Sequence, residues 1–186
     1  KELVILNKDY LFYSLLSLEL PFLFLGLSFI SYFKTESHYF YKIMILWFTG
    51  QPGSGKTTLA NQFIDFIKSE SKKIKIINLD GDDLRAINKN KDYSKEGRIK
   101  NISTAISIIR FLANKDYICV VSIVAPYKFL RDELKNEFPF LEIYLHTEEI
   151  RGRENFFAKD YEIPTDPEHL AIDTGKLTIK ESLNEV

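Results

Sequence analysis

The residues that most clearly indicate a chemical function follow an apolar run, Ile45–Thr49. After this run the sequence continues GQPGSGKTT. Glycines at this spacing let the backbone curl so that successive N–H groups point at one phosphate. The N-terminus of a following helix adds partial positive charge and free donors. A lysine placed there reaches the β- and γ-phosphates, and the next hydroxyl ligates Mg²⁺. The pattern therefore predicts a loop that binds ATP or GTP through Gly50, Gly53, Ser54, Gly55, Lys56, Thr57 and Thr58.

Two carboxylates follow the next apolar run. Asp80 and Asp82 come directly after Ile74–Leu79, a predicted strand. A carboxylate at the end of a strand beside the phosphate loop can hold Mg²⁺ through water or orient an attacking hydroxyl. The alternative is a helix N-cap at Asp82 or Asp83. We predict that Lys56, Asp80 and Asp82 form the catalytic set, with Thr57 and Asp80 as the magnesium-binding pair.

Arg85 and Arg98 flank a polar stretch, Ala86 to Gly97, that is expected to pass over the loop. A guanidinium matches phosphate and sulfate oxygens with two parallel hydrogen bonds. A single arginine is more often a solvated surface charge, so only their position beside the loop favours binding of an anionic acceptor.

The sequence lacks the patterns by which GTP-binding proteins recognise guanine. Asn88 and Lys89 begin like the guanine-binding pattern N-K-x-D, but Lys91 stands where the carboxylate that reads the base belongs. No D-x-x-G switch sequence follows a predicted strand. The sequence therefore favours ATP over GTP.

The elements that position these residues alternate between strands and helices. Such alternation predicts an α/β fold, a three-layer parallel sheet of the P-loop NTPase type, in which ligands bind at the carboxyl ends of the strands. The predicted strands are Met44–Thr49, Ile74–Leu79, Tyr117–Ala125, Leu141–His146 and Leu170–Ile172, and the predicted helices run from Thr57 to Glu70, Lys100 to Ala113 and Phe129 to Glu137.

Composition limits the partners. The chain of 186 residues carries 25 basic and 26 acidic residues, for a net charge of −1. This balance does not indicate a surface that binds nucleic acid. Its single cysteine, Cys119, lies in an apolar run and is interpreted as a buried hydrophobe. One cysteine fits a reducing cytoplasm, which is the expected location.

Residues 1–43 differ from the rest. The apolar run from Leu11 to Phe33 is long enough to span a bilayer, but Glu19 and Pro21 interrupt it. Met44, the only methionine, stands directly before the first predicted strand. We interpret residues 1–43 as a dispensable or non-native leader and 44–186 as the catalytic domain. A membrane-bound or partner-binding helix is the alternative.

From Met44 onward the chain resembles the adenylylsulfate kinases, which use ATP to phosphorylate the 3′-hydroxyl of adenosine 5′-phosphosulfate. The matching segments are WFTGQPGSGKTT, LDGDDLR, Tyr93-Ser94, Gly97-Arg98, Asn101-Ile102, Ala125-Pro126-Tyr127, Arg131-Asp132, NFFAKDYEIP and AIDT. They occur in the family order and cover nearly all of the chain after residue 43.

The resemblance implies roles for individual residues. Asp80 and Asp82 would serve the reaction, and Tyr93 and Phe156 would sandwich the acceptor base, although ordinary packing is an alternative for these two rings. The resemblance implies that the other acceptor-binding residues are Arg85, Arg98, Asn101, Pro126 and Tyr127. A homodimer is possible.

Three departures from the family pattern bear on the acceptor. Gln51 and Pro52 replace a usual leucine and serine, and Ala125 replaces a serine. The long mobile lid is absent, and the short segment from His146 to Glu154 stands in its place, with Arg151 and Arg153 as candidates for stabilising phosphate charge. This short form is similar to kinase-like proteins of bacterial capsule gene clusters, one of which phosphorylates cytidine diphosphoramidate. The two acceptors both remain open.

Overall fold

The computed structural model describes residues 45–70, 72–167 and 169–186. The predicted leader, residues 1–43, and Met44 lie outside the described residues, so the division of the chain at residue 44 stays a prediction. The strands are β1 (Ile45–Thr49), β2 (Ile76–Asp80), β3 (Ile118–Ser122), β4 (Phe140–His146) and β5 (Leu170–Asp173). The helices are α1 (Lys56–Glu70), α2 (Gly81–Ile87), α3 (Lys95–Ala113), α4 (Lys128–Lys135) and α5 (Ile179–Glu185), with a short 3₁₀ helix at Glu154–Phe156.

The five strands form one parallel sheet in the order β2-β3-β1-β4-β5. The first strand is central, and its Trp47 pairs with Val121 on one side and Glu142 on the other. Parallel strands need crossover connections, and here helices make most of them. The carboxyl ends of all five strands therefore meet at one edge, from which the phosphate loop and the acidic residues after β2 emerge.

Alternation along the buried strands builds a core on each face of the sheet. Ile45 and Trp47 belong to the core that includes residues of α2, α3 and α4, whereas Leu46 and Phe48 belong to the core with α1. Leu183 of α5 packs against that second core. Helices on both faces of a parallel sheet give three layers, so the predicted fold class is confirmed.

The element boundaries differ from the prediction where a polar side chain begins a helix. Helix α3 starts at Lys95, earlier than the predicted Lys100, because Ser94 Oγ accepts a hydrogen bond from the Gly97 N–H and caps it. Helix α2 was not among the predicted helices, although the sequence allowed a helix N-cap at Asp82 or Asp83. Helix α5 was not predicted, although Thr178 and Glu181 form a complete capping box at its start.

Cys119 is fully buried within β3, and burial raises the pKa of its thiol to about 12. A thiol in that setting packs as a small hydrophobe. Across the described ranges 45–70, 72–167 and 169–186, we find no helix with the length and apolar character needed to cross a membrane.

Candidate active site

The phosphate loop connects β1 to α1, and its shape depends on glycine. Gly50 has a φ of +138°, and a Cβ at this position would stand 2.1 Å from the Leu145 carbonyl oxygen. Gly53 has a φ of +85°. Side chains would strain the backbone at both positions. The tight loop aims Lys56 and the first N–H groups of α1 into a common cleft.

Lys56 lies at the base of this cleft and is only 7% exposed. Its Nζ donates to the Gln51 carbonyl oxygen at 2.8 Å and to Ser54 Oγ at 3.4 Å. Burial lowers the pKa of the ammonium to about 8; Asp80 and Asp82 oppose that effect. An ammonium with little solvent around it interacts strongly with an arriving phosphate.

Asp80 uses both of its oxygens. Oδ2 accepts from Thr57 Oγ1 at 2.6 Å and from Ser122 Oγ at 2.9 Å. Oδ1 accepts from the backbone N–H groups of Asp82 and Asp83 and so caps α2. The cap that the sequence allowed at Asp82 or Asp83 therefore lies at Asp80. A hydroxyl and a carboxylate side by side at the phosphate loop are the oxygen ligands that Mg²⁺ prefers, so these residues fit that ion.

The Asp82 side chain does not cap the helix, and this residue lines the cleft. Its side chain is 66% exposed, and Oδ2 accepts from Arg153 Nη2 at 3.0 Å. Within residues 45–70, 72–167 and 169–186, its side chain pairs only with this exposed arginine, so the carboxylate is accessible to an incoming hydroxyl.

A cleft of about 280 Å³ runs from the phosphate loop to α2 and α3. It brings together residues from Pro52 to Phe156 that are far apart in the sequence. The predicted site residues that line it are Gly53, Gly55, Lys56, Thr57, Thr58, Asp80, Asp82, Arg85, Tyr93, Arg98, Asn101, Pro126 and Phe156. Three predicted residues do not line it, namely Gly50, Ser54 and Tyr127.

Tyr127 was expected beside the substrate, but it packs in the core. Its side chain is buried, and its ring stacks against Phe129 with a centroid separation of 6.2 Å. Tyr127 stands at the N-cap of α4 and does not line the cleft, whereas Pro126 does.

Tyr93 and Phe156, the two rings predicted to sandwich the acceptor base, are in contact with each other. The ring centroids of Tyr93 and Phe156 lie 4.9 Å apart with a 50° angle between the planes. A base held between two parallel rings needs about 7 Å, twice an ordinary carbon–carbon contact. A base therefore enters between these rings only after they separate.

Both arginines contact this aromatic pair. The Arg85 guanidinium lies 4.2 Å from the Tyr93 ring centroid and donates to the Asp92 carbonyl oxygen. Buried Arg98 donates from Nε to the Tyr93 carbonyl oxygen at 2.9 Å and from Nη2 to that of Phe156 at 2.7 Å. Arg98 therefore holds the backbone of both rings, a contact that the sequence did not indicate.

Asn101 presents a polar atom without a partner among the described residues. The side chain is 3% exposed, Nδ2 donates weakly to the Gly81 carbonyl oxygen at 3.4 Å, and Oδ1 accepts no hydrogen bond from the described chain. A buried oxygen without a donor costs free energy unless a ligand supplies one. Asn101 lines the cleft, so a bound acceptor is a suitable donor.

The segment from His146 to Glu154 is fastened to the phosphate loop. Arg151 donates to the carbonyl oxygens of Gly53 at 3.1 Å and Thr174 at 2.8 Å. Arg153 reaches Asp82 on the opposite wall. The two arginines therefore link this segment to both sides of the phosphate site.

Two buried polar residues that support the cleft wall, Arg131 and Ser122, were not predicted from the sequence. Arg131 is fully buried, pairs with Glu142, and donates to the Ala125 carbonyl oxygen at 2.7 Å. Ser122 supports Asp80. Arg131 was noted only as part of a motif. A charged residue within the amphipathic pattern of α4 is the only sequence signal that could have indicated its burial.

The central strand, its glycine loop and the acidic edge define a P-loop phosphotransferase of the α/β class. A sequence model described as adenylylsulphate kinase matches residues 42–155. A probable adenylyl-sulfate kinase of Aeropyrum pernix is 31% identical, with 77% of this chain and 90% of that protein covered. The chain therefore belongs to the adenylylsulfate kinase family and is an enzyme that transfers phosphate to an alcohol group.

Further comparisons agree. The adenylyl-sulfate kinase of Lactiplantibacillus plantarum is 30% identical, with 78% of this chain and 80% of that protein covered. A Mycobacterium tuberculosis APS kinase, solved in complex with AMPPNP and APS, superposes with a TM-score of 0.64 over 77% of this chain and 95% of that one. At 22% identity, that superposition shows the shared fold.

Proposed function

We propose that the enzyme transfers the γ-phosphate of ATP to the ribose 3′-hydroxyl of adenosine 5′-phosphosulfate. The observation that carries the proposal is that one cleft is lined by the phosphate loop, by Asp82 and by a second set of aromatic, arginine and amide side chains suited to a nucleotide. A kinase that acts on a small nucleotide needs these two half-sites at reacting distance. The cytoplasmic location expected from the sequence forms part of this proposal.

The donor half-site accounts for the triphosphate. The loop N–H groups and Lys56 bind the phosphates, and the AMPPNP complex of the mycobacterial relative supports ATP as the donor. Thr57 and Asp80 would hold Mg²⁺, which supplies charge to neutralise the β- and γ-oxygens when bound.

The acceptor half-site accounts for a nucleotide with an anionic 5′ group. Arg85 and Arg98 offer guanidinium donors, and Asn101 Oδ1 offers a buried acceptor. Tyr93 and Phe156 separate to receive the base, since aromatic faces stack on any base. The anion and the stacked base together fix where the ribose lies.

Asp82 then performs the proton transfer. Its carboxylate accepts the proton of the 3′-hydroxyl while that oxygen attacks the γ-phosphorus in line. The bond between the γ-phosphorus and the bridging oxygen breaks, and ADP leaves with the bond electrons. Most of the rate enhancement comes from positioning and charge stabilisation.

The lowered pKa of Lys56 makes donor binding dependent on pH. Bound phosphates stabilise the ammonium and raise its pKa above the value of about 8 in the free enzyme. Affinity for AMPPNP should therefore vary little between about pH 7 and 8 and fall by up to about tenfold per unit above that. Calorimetry near pH 8.5 in two buffers of different ionisation enthalpy should show proton uptake on binding; binding without uptake would contradict this role of Lys56.

Arg153 is expected to serve the transferred phosphate. Its ion pair with Asp82 is half exposed, and such pairs contribute about 0–1 kcal/mol, so a triphosphate competes easily for the guanidinium. Arg153→Ala should lower kcat about 10- to 100-fold with a smaller effect on ATP affinity. Lys159→Ala, which removes an exposed charge from the same loop region, is the control. Equal kcat values in the two variants would exclude Arg153 from the reaction.

A second acceptor, cytidine diphosphoramidate, is favoured by one observation. Residues 147–153 alone connect β4 to the 3₁₀ helix, and Arg151 fastens this short connection to the phosphate loop. A lid completes a site and selects its substrate, so a different lid is compatible with a different acceptor. The stacking pair accepts cytosine as readily as adenine.

The position of transfer tests the proposal. The full chain is incubated with γ-labelled ATP, Mg²⁺ and adenosine 5′-phosphosulfate, and the labelled product is analysed for a 3′-phosphate. The 3′-deoxy analogue is the control, and it should accept no label. Labelling of that analogue would overturn transfer to the 3′-hydroxyl.

A further inference from the structure

Gln51 in the phosphate loop makes a paired contact with a distant part of the chain. Its Nε2 donates to the Ala158 carbonyl oxygen at 2.9 Å, and its Oε1 accepts from the Ala158 N–H at 3.0 Å. A side-chain amide can satisfy both groups of a peptide in this way because it carries one donor and one acceptor side by side. Ala158 is buried, so its backbone groups depend on this partner.

The contact joins the two half-sites of the cleft. Ala158 is separated by Phe157 from Phe156, whose ring lines the cleft and whose carbonyl oxygen accepts from Arg98 at 2.7 Å. Residues 156–158 are therefore fixed at one end by α3 and at the other by the phosphate loop. The Gln51 carbonyl oxygen also accepts from Lys56 Nζ at 2.8 Å. Gln51 thus contacts Lys56 of the phosphate loop and, through Ala158, the segment that carries Phe156.

Gln51 offers a route by which a change at one half-site can reach the other. A phosphate that drew Lys56 Nζ away would leave the Gln51 carbonyl oxygen without this donor. A base that separated Phe156 from Tyr93 would displace residues next to the Ala158 peptide, which is hydrogen-bonded to Gln51. Gln51 does not line the cleft itself, so it acts through other residues.

We propose that Gln51 is a positioning residue that couples ATP binding to acceptor binding by holding Ala158 against the phosphate loop. The proposal rests on the proposed function, because it needs a nucleotide acceptor at Phe156. It predicts that a donor analogue changes the affinity for the acceptor, and that the acceptor changes the affinity for the donor analogue by the same factor.

The test compares Gln51→Leu, which keeps the side-chain size and removes both hydrogen bonds, with Gln62→Leu on the exposed face of α1. Affinity for adenosine 5′-phosphosulfate is measured with and without AMPPNP. In the wild type and in Gln62→Leu, AMPPNP should change this affinity severalfold. In Gln51→Leu the factor should fall to about one, and KM for the acceptor should rise about tenfold, as expected for two lost hydrogen bonds, with kcat changed less.

The outcomes separate this inference from the proposed function. If the wild type does not phosphorylate adenosine 5′-phosphosulfate, the proposed acceptor fails, and the inference that rests on it is overturned with it. If the wild type is active and Gln51→Leu keeps the full coupling factor, only the inference is overturned. Thermal unfolding of each variant ensures that the comparison is made on folded protein. As a second variant, Gln51→Asn, whose shorter amide cannot reach Ala158 from the same backbone, should reproduce the loss of coupling.

Discussion

Replacing Lys56 by alanine is expected to abolish turnover, with kcat lowered at least about 1,000-fold. The reason is the position of the ammonium, which is buried in the phosphate loop and held by the Gln51 carbonyl oxygen and Ser54 Oγ. Without it, the charge that develops between the β- and γ-phosphates has no buried cation to stabilise it. ADP release measured at saturating ATP and acceptor gives kcat directly.

Lys68→Ala is the matched control, since Lys68 lies on the same helix but is exposed to solvent. It should retain wild-type kcat and so exclude a general effect of removing a positive charge from α1. Near-normal turnover by Lys56→Ala would contradict the whole mechanism.

Replacing Asp82 by asparagine should separate chemistry from binding. The amide keeps the size of the side chain but cannot accept the hydroxyl proton, so kcat should fall about 100- to 10,000-fold. ATP affinity should change little, because Thr57, Asp80 and Lys56 hold the donor site together without this carboxylate. Single-turnover kinetics and calorimetry with AMPPNP measure the two quantities.

Asp83→Asn provides the control for Asp82. Asp83 is the neighbouring exposed carboxylate in the first turn of α2, so the change removes the same charge one residue away. It should leave kcat within about twofold of the wild type. If Asp82→Asn also turns over at the wild-type rate, the catalytic role passes to Asp80.

The fold and the phosphate loop could be predicted because their signals are local. Buried strands read as continuous apolar runs, and the loop pattern fixes both its glycines and the position of Lys56 within a few residues. Helix α2 shows where such reasoning stops. The segment Asp80-Gly81-Asp82-Asp83 offers several caps, and only the position of β2 in the sheet decides that Asp80 accepts from the two N–H groups.

For the predicted acceptor site, the sequence indicated which residues take part but not how they contact one another. The resemblance pointed to Tyr93, Arg98 and Phe156, which do line one cleft, but their contacts depend on packing between segments far apart in the chain. Arg98 holds the carbonyl oxygen of Phe156 across 58 positions. The resemblance also named Tyr127, whose side chain lies in the core in this structure, because the motif that contains it does not specify which way that side chain faces.

The central claim is that the enzyme phosphorylates the 3′-hydroxyl of adenosine 5′-phosphosulfate. The most direct test is ADP release by the full chain with ATP and Mg²⁺ against a panel of acceptors, with Lys56→Ala as the blank. The panel contains adenosine 5′-phosphosulfate, cytidine diphosphoramidate and plain nucleoside monophosphates. The account predicts turnover on the phosphosulfate well above the blank. Turnover confined to the cytidine compound, or to none of the panel, would contradict it.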